Sequence, residues 1–139
     1  MATVVLADDE PLVRRRLRAL LEGAGCEVVG EAGDGPAALA LIATLHPEVA
    51  VLDAALPGLA YPAAPGRPQS SLTLVVILAV DDADAAVRAA LRQGAAAFVH
   101  KGTASADLPE AITAILAGWR YLSPLLTQRV LAAYAAPPV

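Results

Sequence analysis

The stretch VAVLDAALPG, residues 49–58, decides the fold of this 139-residue chain. Apolar residues run straight into Asp53, and the chain then turns at Pro57 and Gly58. A short apolar run bounded by turn residues is typical of a strand buried on both faces of a parallel sheet. An ionised carboxylate at the end of such a strand is costly in apolar surroundings. We therefore expect Asp53 to be paired with a cation or bound to a metal.

Other charged residues follow other apolar runs. Asp8 and Asp9 come directly after the run at residues 3–7, and Lys101, the only lysine, comes after the run at residues 96–100. In a parallel sheet the carboxyl ends of neighbouring strands meet at one edge, where ligands of α/β proteins bind. The pattern therefore predicts that these four side chains share one crevice.

The rest of the chain alternates strand and helix signals, which indicates an α/β fold with a five-stranded parallel doubly wound sheet. Strands are predicted at residues 3–7, 27–31, 49–53, 74–80 and 96–100. Helices are predicted from Pro11 to about residue 23, from residues 34–36 to 46–47, from Asp82 or Asp84 to Gln93, from a capping-box-like start at Asp107 and Glu110 to Gly118, and from residue 125 to about 134.

The connection between the third and fourth strands breaks this rhythm. It carries prolines at positions 57, 62, 65 and 68, and each proline in a helix interior costs about 3 kcal/mol. We expect an irregular crossover here in place of a helix.

Composition excludes several classes of function. A net charge of −4 gives little attraction for nucleic acid, and we interpret the arginine cluster at residues 14–18 as mainly the solvated face of a helix. No apolar run is long enough to span a membrane. The single cysteine, Cys26, cannot form an internal disulfide, which favours a cytoplasmic location.

Three carboxylates in one crevice repel one another and attract a hard cation such as Mg²⁺. Carboxylates, a metal and one lysine suit phosphoryl transfer to Asp53. Each residue alone has a plainer interpretation: Asp53 could cap a loop, Asp8 and Asp9 could cap a helix, and Lys101 could lie at the surface. Only their common placement at strand ends favours a functional site.

These motifs resemble the receiver domain of two-component response regulators. The matching segments are LADDEPLVR at residues 6–14, VVGEAGDGPAAL at 28–39, VLDAALPG at 51–58 and AFVHK at 97–101. The segments GDG and GWRYLSP, the latter at residues 118–124, resemble the NarL/LuxR-type transcription factors.

The resemblance implies that Asp53 accepts a phosphoryl group from a histidine kinase. It implies that Mg²⁺ is held by Asp9, Asp53 and the Ala55 carbonyl, with Asp8 helping through water, and that Lys101 contacts the phosphoryl oxygens. Phe98 falls where the family has its rotating switch aromatic, although an ordinary core aromatic is an equal alternative.

Two departures from the family pattern matter. The switch Thr or Ser at the end of the fourth strand falls on Ala79, which has no hydroxyl to contact a phosphoryl group. The family also has a third helix where this chain has the proline-rich crossover. The resemblance therefore leaves two hypotheses: a phosphorylatable receiver that regulates transcription, and a degenerate receiver that acts as an interaction or dimerisation module.

The predicted organisation is a receiver domain at residues 1–122, followed by a C-terminal helix and linker at residues 123–139. In the family this position leads to a helix-turn-helix output domain, so the chain is expected to be a fragment or a stand-alone receiver that does not itself bind DNA. The apolar spacing at residues 125–131 leaves a homodimer open. An enzyme on the same fold is disfavoured, because no acid stands two residues after Asp53 and no glycine-rich phosphate loop follows the first strand.

Overall fold

The strand that ends at Asp53 lies inside a six-stranded, wholly parallel sheet with the order β2-β1-β3-β4-β5-β6. This is seen in a computed structural model of the protein, which describes residues 1–58, 72–79 and 94–124. The strands are β1 (Thr3–Ala7), β2 (Glu27–Ala32), β3 (Val49–Asp53), β4 (Leu74–Ala79), β5 (Ala97–His100) and β6 (Tyr121–Leu122). The described helices are α1 (Pro11–Gly23), α2 (Gly35–Leu45), a 3₁₀ turn (Lys101–Thr103) and α3 (Ala104–Leu116).

The apolar runs of the central strands are continuous because both faces of the sheet are covered. On one face, α1 and α3 pack through Leu17, Leu21, Leu108, Ile112 and Ile115. On the other face, α2 packs over a second apolar cluster that contains Phe98. The predicted doubly wound α/β architecture is confirmed.

The second helix begins and ends as its sequence predicts. The Asp34 carboxylate accepts a hydrogen bond of 2.8 Å from the Ala37 amide and so caps the N-terminus of α2. At the other end, His46 takes the left-handed conformation, with φ of 47°, before Pro47. These two caps fix the length of the segment between β2 and β3.

Helix α3 (Ala104–Leu116) begins earlier than predicted. It starts at Ala104, directly after the 3₁₀ turn, and its N-cap position is Thr103, so the predicted start at Asp107 is wrong. Pro109 therefore lies inside the helix, where its ring nitrogen cannot donate to the Ser105 carbonyl. Burial of the apolar side chains of this helix compensates for the lost hydrogen bond. The Asp107 side chain is buried and does not cap the helix.

A sixth strand, β6, extends the predicted five. Tyr121 pairs with Ala97 and Leu122 pairs with Phe98, so β6 continues the sheet beyond β5. Two residues are too short to show the periodicity that identifies a strand in sequence.

Several predicted features lie outside the described residues. These are most of the proline-rich crossover (residues 59–71), the helix expected from Asp82 or Asp84 to Gln93, and the C-terminal helix expected from residue 125. Among the helices in the described ranges, none is long and apolar enough to cross a membrane.

Candidate functional site

The carboxyl ends of β1, β3 and β5 bring Asp8, Asp53 and Lys101 into direct contact. The Lys101 ammonium nitrogen lies 2.8 Å from Asp8 Oδ2 and 2.9 Å from Asp53 Oδ2. Asp8 is 0% exposed and Asp53 only 3% exposed. The sequence predicted this grouping from strand ends alone, and the parallel register of β1 with β3, which pairs Ala7 with Leu52, is what produces it.

The two buried carboxylates are held in the same way. Asp53 Oδ1 accepts a 3.0 Å hydrogen bond from the Ala55 amide, and Asp8 Oδ1 accepts a 2.9 Å bond from the Glu10 amide. In each aspartate one oxygen is thus fixed by the backbone two residues ahead and the other faces Lys101. The carboxylates are oriented before any ligand arrives.

The charge of Lys101 is stabilised by its partners. Burial by itself lowers the pKa of this ammonium group, but the hydrogen bonds and charges of Asp8 and Asp53 outweigh burial and raise the pKa above the ordinary value of 10.5. Lys101 is therefore a fixed cation at neutral pH. It offsets one of the two buried negative charges.

A third carboxylate completes an acidic cluster at the rim. Asp9 is exposed, and one oxygen each of Asp8, Asp9 and Asp53 lies within 4.8 Å of the others. With Lys101 as the nearby cation, three carboxylates leave an excess of negative charge that a divalent cation would balance. The donor set is all oxygen, which fits Mg²⁺. The Ala55 carbonyl, predicted as a further ligand, belongs to the residue whose amide holds Asp53.

The two predicted switch positions are buried next to the site. Ala79 ends β4 with 5% exposure and pairs in register with His100, the residue before Lys101. Phe98 is 0% exposed and belongs to the apolar cluster beneath α2. In this structure Phe98 is thus packed as a core aromatic, and its role as a switch stays a prediction.

Sequence reasoning missed two groups of residues around the site. Arg14 was placed on the solvated face of α1, but its guanidinium donates to the Asp8 carbonyl at 2.7 Å and lies 3.3 Å from the Glu31 carboxylate. The second group is a polar cluster of Thr103, Asp107 and Ser123. No signal in the sequence points to it except that Ser123 lies within the GWRYLSP segment.

Comparison with known proteins agrees with this geometry. Residues 4–113 match the family model described as the response regulator receiver domain. Over 126 residues the chain is 40% identical to the probable transcriptional regulatory protein NarL of Mycobacterium tuberculosis, covering 88% of this chain and 58% of that protein. The chain thus spans about three-fifths of the length of the curated relatives it matches.

Solved structures agree as well. A two-component response regulator of the LuxR family from Aurantimonas sp. SI85-9A1 superposes with a TM-score of 0.87 at 32% identity, covering 98% of this chain and 99% of that one. A structure of two RcsB dimers bound to two parallel DNAs superposes with a TM-score of 0.80 at 28% identity, covering 94% of this chain and 68% of that one.

Proposed function

The chain belongs to the family of response regulator receiver domains, of the NarL/LuxR type, and we propose that Asp53 is its phosphoacceptor. The observation that carries this proposal is the contact of Lys101 with Asp53 and Asp8 at a buried sheet edge. Asp53 is one of the three carboxylates of the acidic cluster, and its orientation is fixed by the Ala55 amide.

The proposed reaction is phosphoryl transfer from a phosphohistidine of a histidine kinase. An Asp53 carboxylate oxygen forms a bond to phosphorus as the bond between phosphorus and the imidazole nitrogen breaks, and the histidine leaves with its electron pair. Lys101, already within hydrogen-bond reach of Asp53, supplies positive charge next to the incoming phosphoryl oxygens.

Mg²⁺ fits the acidic cluster as the cofactor of this site. Asp9, Asp53 and the Ala55 carbonyl would hold the ion, and Asp8 would assist through water. When bound, Mg²⁺ supplies further positive charge to offset the phosphoryl oxygens. The chain's own residues, the Ala55 amide and the Lys101 ammonium group, orient the nucleophile.

The consequence we propose is control of transcription in the cytoplasm. The relatives NarL and RcsB carry names that refer to transcriptional regulation and to DNA-bound dimers. For this chain we propose that DNA is reached only through an output domain outside residues 1–139, and that the chain forms a homodimer. The residues expected to form its apolar face, 125–131, lie outside the described part of the chain.

A second function is favoured by Ala79. With no hydroxyl at the end of β4, the chain lacks one hydrogen bond of roughly 1.5–3 kcal/mol to a charged group, which is the size of a typical coupling between sites. The alternative is therefore a degenerate receiver that acts as an interaction module without a phosphorylation-dependent switch.

Intact-mass measurement with a small phosphodonor and Mg²⁺ tests the proposal. We expect the wild type to gain the mass of one phosphoryl group and the Asp53→Ala variant to gain none. Asp34→Ala is the matched control, because it removes an exposed aspartate whose carboxylate accepts from the Ala37 amide at the start of α2, and it should gain the phosphoryl group normally. A wild type without an adduct, or an adduct in Asp53→Ala, would contradict the assignment.

Backbone NMR with beryllofluoride separates the two functions. Asp53-dependent shifts that extend to Phe98 would support a working switch. Shifts confined to the residues around Asp53 would support the degenerate receiver.

A further inference from the structure

A buried polar cluster lies beside Lys101 and has no assigned role in the phosphoryl transfer proposed above. Its centre is Asp107, whose carboxylate is mostly buried in the first turn of α3. Asp107 Oδ2 accepts a hydrogen bond of 2.9 Å from the Ser123 hydroxyl and another from the Thr103 hydroxyl. Ser123 itself is 0% exposed and follows β6.

This cluster holds the chain on both sides of Lys101. The His100 amide, immediately before Lys101, donates to Ser123 Oγ at 3.0 Å. Thr103, two residues after Lys101, donates to Asp107. One carboxylate oxygen therefore connects to both ends of the 3₁₀ turn that carries the site's only lysine.

The contacts of the two hydroxyl groups indicate where their protons lie. Ser123 Oγ accepts from the His100 amide, so its own proton is directed to Asp107. Thr103 has a single hydroxyl proton, and its shorter contact is with Asp107, whereas its contact with the His100 carbonyl is 3.4 Å. Both hydroxyls therefore donate to Asp107 Oδ2.

The position of Asp107 is not explained by helix capping. The N-cap residue of α3 is Thr103, whose side chain makes no capping hydrogen bond. The Asp107 carboxylate is directed instead at the two hydroxyls, which lie on segments that leave β5 and β6.

We propose that Asp107 is a positioning residue for Lys101. Through Thr103 and Ser123, it holds the turn that directs the lysine ammonium group toward Asp53. The importance of this positioning for phosphoryl transfer rests on the function proposed above, but the mechanical link to Lys101 does not.

Amine labelling tests the mechanical link without any phosphoryl group. Because Lys101 is the only lysine, an amine-reactive reagent read by peptide mass reports on one side chain, and the N-terminal amine is an internal reference. In Asp107→Asn we expect Lys101 to react roughly fivefold faster than in the wild type, because a neutral amide holds the two hydroxyls less strongly. The labelling rate of the N-terminal amine should not change.

Thr103→Val is the second variant, since it removes one donor to Asp107 and the Thr103 side chain makes no capping hydrogen bond. It should also accelerate Lys101 labelling. Thr73→Val is the matched control. It removes a partly buried hydrogen bond of 2.7 Å from the Thr73 hydroxyl to the Pro47 carbonyl, at the amino ends of the strands. If both cluster variants lose stability like this control while the Lys101 rate stays at the wild-type value, the positioning role is wrong and the cluster is only structural.

Ligand affinity then connects the cluster to phosphoryl transfer. In Asp107→Asn we expect beryllofluoride affinity to fall about tenfold, since Lys101 contacts the phosphoryl position, while Mg²⁺ affinity stays within about twofold because Lys101 is not a metal ligand. If the wild type itself fails to bind beryllofluoride, the phosphoacceptor proposal fails, and the labelling result still decides the role of Asp107. Faster labelling with unchanged beryllofluoride affinity would overturn the link to phosphoryl transfer.

Discussion

Replacing Lys101 by methionine tests the electrostatic account of the site most directly. Methionine keeps much of the length and apolar volume of the side chain but removes the charge. Asp8 and Asp53, 0% and 3% exposed, would then face each other without their cation. We expect Lys101→Met to lower the free energy of unfolding at neutral pH in metal-free buffer.

The size of the loss follows from the contacts. At an effective dielectric constant of about 20, each ammonium–carboxylate contact at 2.8–2.9 Å gives about 6 kcal/mol of attraction before desolvation. Removing one partner of a buried pair costs about 3–5 kcal/mol in practice. Lys101 is 19% exposed, so we expect about 3 kcal/mol.

Urea unfolding followed by circular dichroism measures this loss. With a slope of about 2 kcal/mol per molar urea, the midpoint should fall by about 1.5 M. Adding Mg²⁺ should raise the midpoint of Lys101→Met more than that of the wild type, because the divalent cation meets less competing positive charge. Arg18→Met is the matched control: its pairs with Glu22 and Glu31 are exposed and salt-screened, so the midpoint should hardly move.

A Lys101→Met protein as stable as the wild type in metal-free buffer would refute the reasoning. That result would mean that the two buried carboxylates do not need the Lys101 ammonium group to offset their charge. An equal effect of Mg²⁺ on both proteins would refute the claim that lysine and metal compensate the same negative charge.

Three further predictions concern the same crevice. Asp53→Asn should leave metal-free stability unchanged or raise it by up to about 1 kcal/mol, because the ammonium of Lys101 then balances the single remaining buried carboxylate of Asp8; the same urea assay checks it, and a loss of several kcal/mol would contradict it. Ala79→Thr should extend the beryllofluoride-induced NMR shifts to Phe98, at a stability cost of about 1 kcal/mol for adding a polar group to a buried position; shifts that stop short of Phe98 would show that the missing hydroxyl is not the cause. The pKa of Lys101 is raised above 10.5 in the folded state, so its contribution to stability is complete below pH 10.5 and is lost as the pH rises through the folded-state pKa. As the pH rises above 10.5, the stability advantage of the wild type over Lys101→Met should therefore shrink. Urea midpoints of both proteins across the alkaline range measure this difference.

The residues of the crevice could be predicted because the ends of the apolar runs in the sequence mark the ends of the strands. Asp8, Asp53 and Lys101 each come at the end of an apolar run. Because all the carboxyl ends of a parallel sheet lie at one edge, the register of the strands brings these three side chains together. The covered faces of the sheet explain why those runs are continuous. The start of α2 could be predicted in the same way, since Pro36 comes two residues after Asp34 and the Ala37 amide that Asp34 caps comes three residues after it.

The polar cluster of Thr103, Asp107 and Ser123 could not be predicted in this way. Asp107 and Glu110 have the spacing of a capping box, and local pattern alone cannot show that the helix begins three residues earlier. Ser123 contacts Asp107 across 16 positions of sequence, and the contact depends on β6, which is only two residues long. Contacts of this kind are set by tertiary packing and leave no periodic signal.

The cost of the buried charges bears on the choice between the two proposed functions. A buried ion pair contributes little net stability, and well-packed apolar residues in its place are often neutral or stabilising. A receiver used only as an interaction module would have no stability reason to keep Asp8, Asp53 and Lys101 together at an apolar sheet edge. Their contact, with Asp9 at the rim, is accounted for by a ligand that carries both an exchangeable cation and a negatively charged group. On this argument we propose that Ala79 would weaken the response to phosphorylation more than phosphorylation itself.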